Sequence, residues 1–101
     1  MYIIIWEYKV TSEKQTDFEK VYMANGVWAA LFKKGNGYHG TELMHSTEYP
    51  AQYLTVGRWN SKENYESFLL QYKAEYKNLD TQCEDLTEKE NCLGRFWLNS
   101  L

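Results

Sequence analysis

The chain has 101 residues, a net charge of −3 and an aromatic content of 17%. That length makes one domain, residues 1–101, and its 11 Lys and Arg are scattered rather than gathered on one face, which argues against a nucleic-acid surface. The segment MYIIIWEYKV has no basic leader and is too short to cross a bilayer, so a cytoplasmic protein with no membrane partner is expected.

Tyr2 to Val10 is rich in β-branched and aromatic residues on both parities, which predicts a strand covered on both faces. Ser12 with Gln15 resembles a capping box, and Phe18, Val21, Tyr22, Trp28, Ala29 and Phe32 follow helical spacing. Gly26 is expected to bend or break that helix. Lys33 to Gly37 is a turn, and a second strand is expected from Tyr38 to Ser46. Thr47 to Pro50 closes a hairpin onto a third strand, Gln52 to Trp59. Asn60 or Ser61 caps the next helix, whose apolar stripe is Tyr65, Phe68, Leu69, Tyr72 and Tyr76. Thr81 with Glu84 predicts a short helix to about Thr87, and Leu93 to Leu98 predicts the last strand. Cys83 and Cys92 form no CxxC pair and have no His beside them, so no metal site is expected, and two thiols in a reducing compartment are expected ahead of the alternative, a disulfide.

The element order is that of an α+β, ferredoxin-like βαββαβ domain, an antiparallel sheet with its helices on one face. The other face still carries apolar side chains. A second copy laid sheet against sheet is the simplest cover, so a homodimer is expected.

These residues resemble the antibiotic biosynthesis monooxygenase domain of the dimeric α/β-barrel superfamily. The resemblance is carried by Trp6 to Val10; by Phe18, Tyr22, Gly26, Trp28 and Phe32; and by Gly37 to Leu43. It continues through Tyr53 to Ser61, and through Leu86 to Glu90 with Gly94 and Phe96. It implies a dimeric α/β barrel with a cavity between each sheet and its own helices. Well-studied relatives oxygenate aromatic polyketides there with no flavin, metal or haem, so no cofactor is expected. Haem-degrading relatives place an Asn on the first strand and a haem-ligating His on a helix. This first strand has no Asn, and His39 and His45 both lie in the region of the second strand, which argues against haem.

A hairpin closing around Thr47 to Pro50 pairs Ser46 with Ala51. It then sets Tyr38 opposite Trp59, Gly40 opposite Gly57, Glu42 opposite Thr55 and Met44 opposite Tyr53, all on one face. Trp59 leads into the next helix, so this face is placed under the helices. Gly40 and Gly57 would leave a dent walled by Tyr38 and Trp59 and roofed by Trp28 and Phe32, an apolar slot of the kind that binds ligands. Alternatively, the two glycines let Trp28 press flat onto the sheet. Glu42 beneath the helices would be a proton acceptor with a raised pKa, or else a carboxylate at the open end bonded to Tyr or Lys. His39 opposite Arg58 on the other face would pair with an acidic group of the partner copy such as Glu7. In a catalytic reading, Arg58 steadies a substrate oxyanion while His39 carries the proton.

Three functions are open on this reading: a cofactor-independent monooxygenase acting on a small aromatic or quinol-type substrate, a non-catalytic binding dimer of the same fold, and an isomerase-type or decarboxylating relative. A one-residue slip of the hairpin would turn every one of these side chains over.

Overall fold

The structure, a computed structural model, describes residues 1–99. Strand β1 (Tyr2–Val10) leads into helices α1 (Gln15–Tyr22) and α2 (Val27–Phe32). The hairpin β2 (Tyr38–His45) and β3 (Gln52–Trp59) follows, then α3 (Lys62–Gln71) and α4 (Lys73–Gln82). A short 3-10 turn, Glu84–Leu86, precedes β4 (Thr87–Trp97). The strands form one antiparallel sheet in the order β2-β3-β1-β4. This is the expected ferredoxin-like architecture.

β1 is central, with a partner along each edge, and its sequence explains why. Tyr2, Ile4, Tyr8 and Val10 point to the helices and join the core, while Ile3, Ile5 and Glu7 alternate onto the opposite face. The core is closed by Phe18 and Tyr22 from α1, Trp28 and Leu31 from α2, and Tyr65, Phe68 and Leu79 from α3 and α4. Aromatic rings dominate it: Phe18 stacks on Tyr22 at 4.2 Å between ring centroids, and Trp59 meets Phe68 at 5.2 Å.

The first helical stretch is broken rather than bent. Gly26 is the reason: a Cβ there would lie 2.4 Å from the carbonyl oxygen of Val21, so the chain folds back on α1 in a way only glycine permits. The expected cap at Ser12 does not form. The helix begins later, at Gln15, with Lys14 as a cap residue making no side-chain bond. At α3 the expected cap is present, because Ser61 Oγ accepts a hydrogen bond from the Asn64 amide at 3.1 Å. The second helical stretch also breaks, at Tyr72, yet Tyr65, Phe68, Tyr72 and Tyr76 keep to one packed side.

β4 starts six residues earlier than Leu93 because it pairs with β1 along almost its whole length. Its first half, Thr87 to Asn91, reads as polar for a physical reason: an edge strand has one neighbour and tolerates charge. No helix among the described residues is long and apolar enough to cross a membrane.

The hairpin register differs from the expected one. Tyr38 does pair with Trp59, but a β-bulge follows, and Gly40 then pairs with Arg58, Thr41 with Gly57, Leu43 with Thr55 and His45 with Tyr53. Gly40 sits at φ +110°, a conformation that side chains rarely adopt, and it absorbs the extra residue. Gly40 and Gly57 therefore do not face each other. Thr41, Leu43 and His45 turn toward the helices, while Glu42 and Met44 turn to the open face.

Candidate functional site

A cavity of ≈ 70 Å³, open on one side, lies between the sheet and the helices. Its floor is β1 and β3: Ile4, Trp6 and Tyr8 from one, Thr55, Gly57 and Trp59 from the other. Thr41 of β2 completes the floor beside Gly57. The roof comes from Tyr22 of α1, Trp28 and Phe32 of α2, and Tyr65 and Tyr76 of α3 and α4. Asp80 at the end of α4 and Glu90 on β4 stand at its rim, both exposed to solvent.

The site follows from strand parity. On β1 the even positions face the helices, which delivers Ile4, Trp6 and Tyr8 in a row. Glu90 reaches the same face because it pairs directly with Tyr8. Gly57 leaves the hollow: a Cβ there would meet nothing nearer than Thr41 Oγ1 at 3.7 Å, so the space above it is free rather than filled. The rings of the roof brace one another, with Trp28 edge-on to Tyr76 at 5.0 Å and 5.8 Å from Phe32.

The polar groups are few and mostly neutral. Tyr8 Oη and Thr55 Oγ1 share a hydrogen bond of 3.3 Å. Burial pushes the Tyr8, Tyr22 and Tyr76 hydroxyls well above the usual phenol range, so all three stay protonated at neutral pH. Burial also raises the Cys83 thiol beneath Tyr22 and Trp28. Trp28 is 7% exposed, and its buried indole Nε1 lies beside the Tyr22 hydroxyl and the Cys83 thiol without a well-formed hydrogen bond to either. At the rim, partial burial and then the charge of Asp80 raise the Glu90 carboxyl above its ordinary range.

Of the residues expected to form a slot, Trp28, Phe32, Gly57 and Trp59 do line the cavity. Tyr38 stands behind the wall, packed on Phe32 and Trp59, its hydroxyl bonded to Thr41 Oγ1 at 2.7 Å. Gly40 lies in the bulge and lines nothing. The three residues assigned to catalysis are all outside. Glu42 is not beneath the helices; it forms an ion pair with Arg58 on the open face, because the bulge reverses its side. His39 is exposed and hydrogen-bonded to the Asn60 side chain, not set against Arg58. Sequence reasoning missed Trp6, Tyr8 and Tyr22, although β1 parity signals the first two. It also missed Tyr76, Asp80 and Glu90, for which the signal is the continued helical stripe and the early start of β4. No group of three or more His, Cys, Asp or Glu among the described residues is placed to hold a metal.

Three solved structures share this fold over nearly the full chain. SnoaB, a cofactor-independent oxygenase from Streptomyces nogalater, is 17% identical with a TM-score of 0.80, covering 99% of this chain and 94% of its own. A provisionally assigned antibiotic biosynthesis monooxygenase from Bordetella bronchiseptica is 22% identical with a TM-score of 0.77, covering 98% and 97%. Another of that description from Deinococcus radiodurans is 12% identical with a TM-score of 0.75, covering 100% and 95%. At such identities the likeness speaks for the fold. No curated protein matches the chain. The family described as antibiotic biosynthesis monooxygenase matches residues 1–70, more than half of the sequence, and the chain belongs to that family.

Proposed function

We propose that the sheet–helix cavity is the reaction site of a cofactor-independent oxygenase acting on a small hydroxylated aromatic molecule. The observation that carries this reading is the cavity itself, walled by the rings of Trp6, Tyr8, Tyr22, Trp28, Phe32 and Tyr76. An apolar hollow with a few fixed polar groups is the usual form of a ligand site. The neutral hydroxyls of Tyr8, Tyr22 and Tyr76 and the indole N–H offer donors to a phenolate oxygen, the electron-rich form that reacts with dioxygen. The family and the likeness to SnoaB support oxygenation as the reaction class.

Size narrows the substrate. A cavity of about 150 Å³ accepts a benzene ring. The ≈ 70 Å³ here is less than half of that, so only part of one ring fits inside with the rest reaching through the open side, and a polycycle would require α2 to move. The test is oxygen uptake with hydroquinones and hydroxyanthracenes, without added cofactor. Uptake that is lost when Gly57→Val fills the hollow supports an enzyme. Binding to the wild type with no uptake across the whole panel refutes oxygenation and leaves a non-catalytic binding dimer.

The open sheet face bears on assembly. It carries Ile3, Ile5, Leu54, Val56 and Phe96, and Met44 and Phe96 are 45% and 51% exposed. Such a contiguous apolar surface calls for a cover, and the reading here is a homodimer through these faces. Ile5→Glu is then expected to yield monomers in sedimentation. Cys83 and Cys92 are both free thiols, in keeping with a reducing, cytoplasmic setting.

A further inference from the structure

We propose that Arg95 is a positioning residue of this cavity: it fixes the Tyr65 hydroxyl as the donor that holds a phenolate oxygen, so that the cavity takes hydroxyarenes as their anions. This rests on the reading of the cavity as a ligand site and names the charge state and orientation of what enters.

A second β-bulge puts Arg95 within reach of the site. β4 pairs Cys92 with Trp6 but Gly94 with Ile5, so Leu93 is an extra residue. Without it, Glu90 and Arg95, at positions of opposite parity, would point to opposite faces of the sheet. With it, Glu90 stands opposite Tyr8 and Arg95 opposite Ile4, both on the helix-facing side. Ile4 and Tyr8 line the cavity, and their Cα atoms are about 13 Å apart along an extended strand. The acidic rim and the guanidinium therefore mark two ends of one site. Arg95 makes no ion pair with a carboxylate among the described residues, so its charge is not cancelled there. Tyr76 lies between the two ends: Asp80 and Glu90 oppose its ionisation, and Arg95 favours it. An anionic oxygen in the cavity is drawn to the Arg95 end.

At that end the cavity wall is Tyr65. The residue is 6% exposed, and its hydroxyl lies beside the Arg95 guanidinium. Arginine carries donors and no acceptor, so in this contact the phenol oxygen accepts. The one proton of the Tyr65 hydroxyl stays available to another acceptor, and a bond received from a cation strengthens the one given. Burial raises the Tyr65 hydroxyl above the usual phenol range and Arg95 partly offsets that rise, which makes a protonated but polarised donor. Tyr8 and Tyr22 face the charge of Glu90 instead, which opposes an anion beside them.

The experiment is a spectrophotometric pH titration of para-nitrophenol, whose phenol and phenolate forms absorb at different wavelengths. The probe is bound to the wild type, to Arg95→Met, to Tyr65→Phe and to the double variant. On the wild type it is expected to half-ionise about one pH unit below the free probe, equivalent to about tenfold tighter binding of the phenolate than of the phenol. Arg95→Met and Tyr65→Phe should each reduce that preference to about twofold or less. The double variant should lose no more than either single one, the mark of one residue acting through the other. The other titratable or charged groups around Arg95, Tyr65 and Tyr76 are Tyr2 of β1, Cys92 and Glu90 of β4 and Asp80 of α4, and all are retained in every variant. Arg95 is exposed and Tyr65→Phe keeps its ring, so folding is preserved, as circular dichroism will check. Binding that is lost in Gly57→Val places the probe in the cavity. A probe that binds the wild type but ionises as in free solution, a phenolate preference that survives either single variant, or a double variant that falls below both, overturns the role of Arg95 and leaves the cavity as a ligand site. No binding to the wild type, or binding that Gly57→Val leaves intact, overturns both.

Discussion

The bulge at Gly40 makes a sharp prediction about two glycines that look alike in the sequence. Gly40 has φ +110°, and a Cβ added to it meets nothing within 4 Å. The cost of Gly40→Ala is therefore purely one of backbone conformation, about 1–3 kcal/mol for a residue held in such a region. Gly57 has no positive φ, and its Cβ would make ordinary contacts, 3.7 Å to Thr41 Oγ1 and 3.9 Å to the Ile4 carbonyl oxygen. Gly57→Ala should be neutral or stabilising by up to about 1 kcal/mol, because alanine restricts the unfolded chain. For a domain of this size each kcal/mol moves Tm by about 4–8 °C. Gly40→Ala is then expected to melt roughly 4–24 °C below wild type and Gly57→Ala at or slightly above it. Thermal unfolding followed by circular dichroism, at one protein concentration, reads both. If the glycines faced each other in the bulge-free register, the two substitutions would cost about the same. Equal losses, or a harmless Gly40→Ala, would refute the register described here.

Other consequences follow from the packing. Trp59 is 2% exposed and touches Phe32, Tyr38, Tyr65 and Phe68, so Trp59→Ala should destabilise by about 3–5 kcal/mol in urea unfolding. Gly26→Ala forces a Cβ against the Val21 carbonyl oxygen at 2.4 Å and should cost at least about 1–3 kcal/mol, with loss of helical signal near the α1–α2 junction. Glu90 holds its proton more tightly in the folded state than in the unfolded chain. Between the ordinary Glu pKa and the raised folded value, the folded protein carries the extra proton, so stability falls as pH rises through that window. Glu90→Gln should remove that fall from a pH series of urea midpoints.

The residue pattern was sufficient for the element order because β1, β3 and the helical stripes each obey one period. Trp59 could be placed against the helices because it ends β3 and leads into α3. The break at Gly26 was legible, although the collision with Val21 that enforces it was not. The hairpin register was not legible, and the reason is local. A bulge inserts one residue without changing the strand-like composition of Tyr38 to His45, so parity counted from the turn and parity counted from Tyr38 disagree. Glu42, read as buried, therefore stands on the open face, and Thr41, read as outward, lines the cavity. The acidic rim was hidden for another reason. Glu90 lies in a charged edge segment that looks like loop, and only pairing with Tyr8 brings it to the cavity.

The same reversal gives the ion pair on the open face a testable role in assembly. In the isolated chain the Arg58 and Glu42 side chains are 35% and 62% exposed. A pair so wet contributes about 0–1 kcal/mol, so Glu42→Gln should leave the stability of the dilute monomer almost unchanged. If a second copy covers this face, Arg58 would be desolvated beside Ile3 and Val56, and removing its carboxylate would then cost about 3–5 kcal/mol. At 1.4 kcal/mol per decade, dimer dissociation should strengthen by about a hundredfold or more in Glu42→Gln. Sedimentation across a dilution series measures this directly, with Ile5→Glu as the fully monomeric reference. A dimer constant that does not respond to Glu42→Gln would mean that Arg58 is not covered, and that the two copies meet somewhere other than the face that β1 and β3 share.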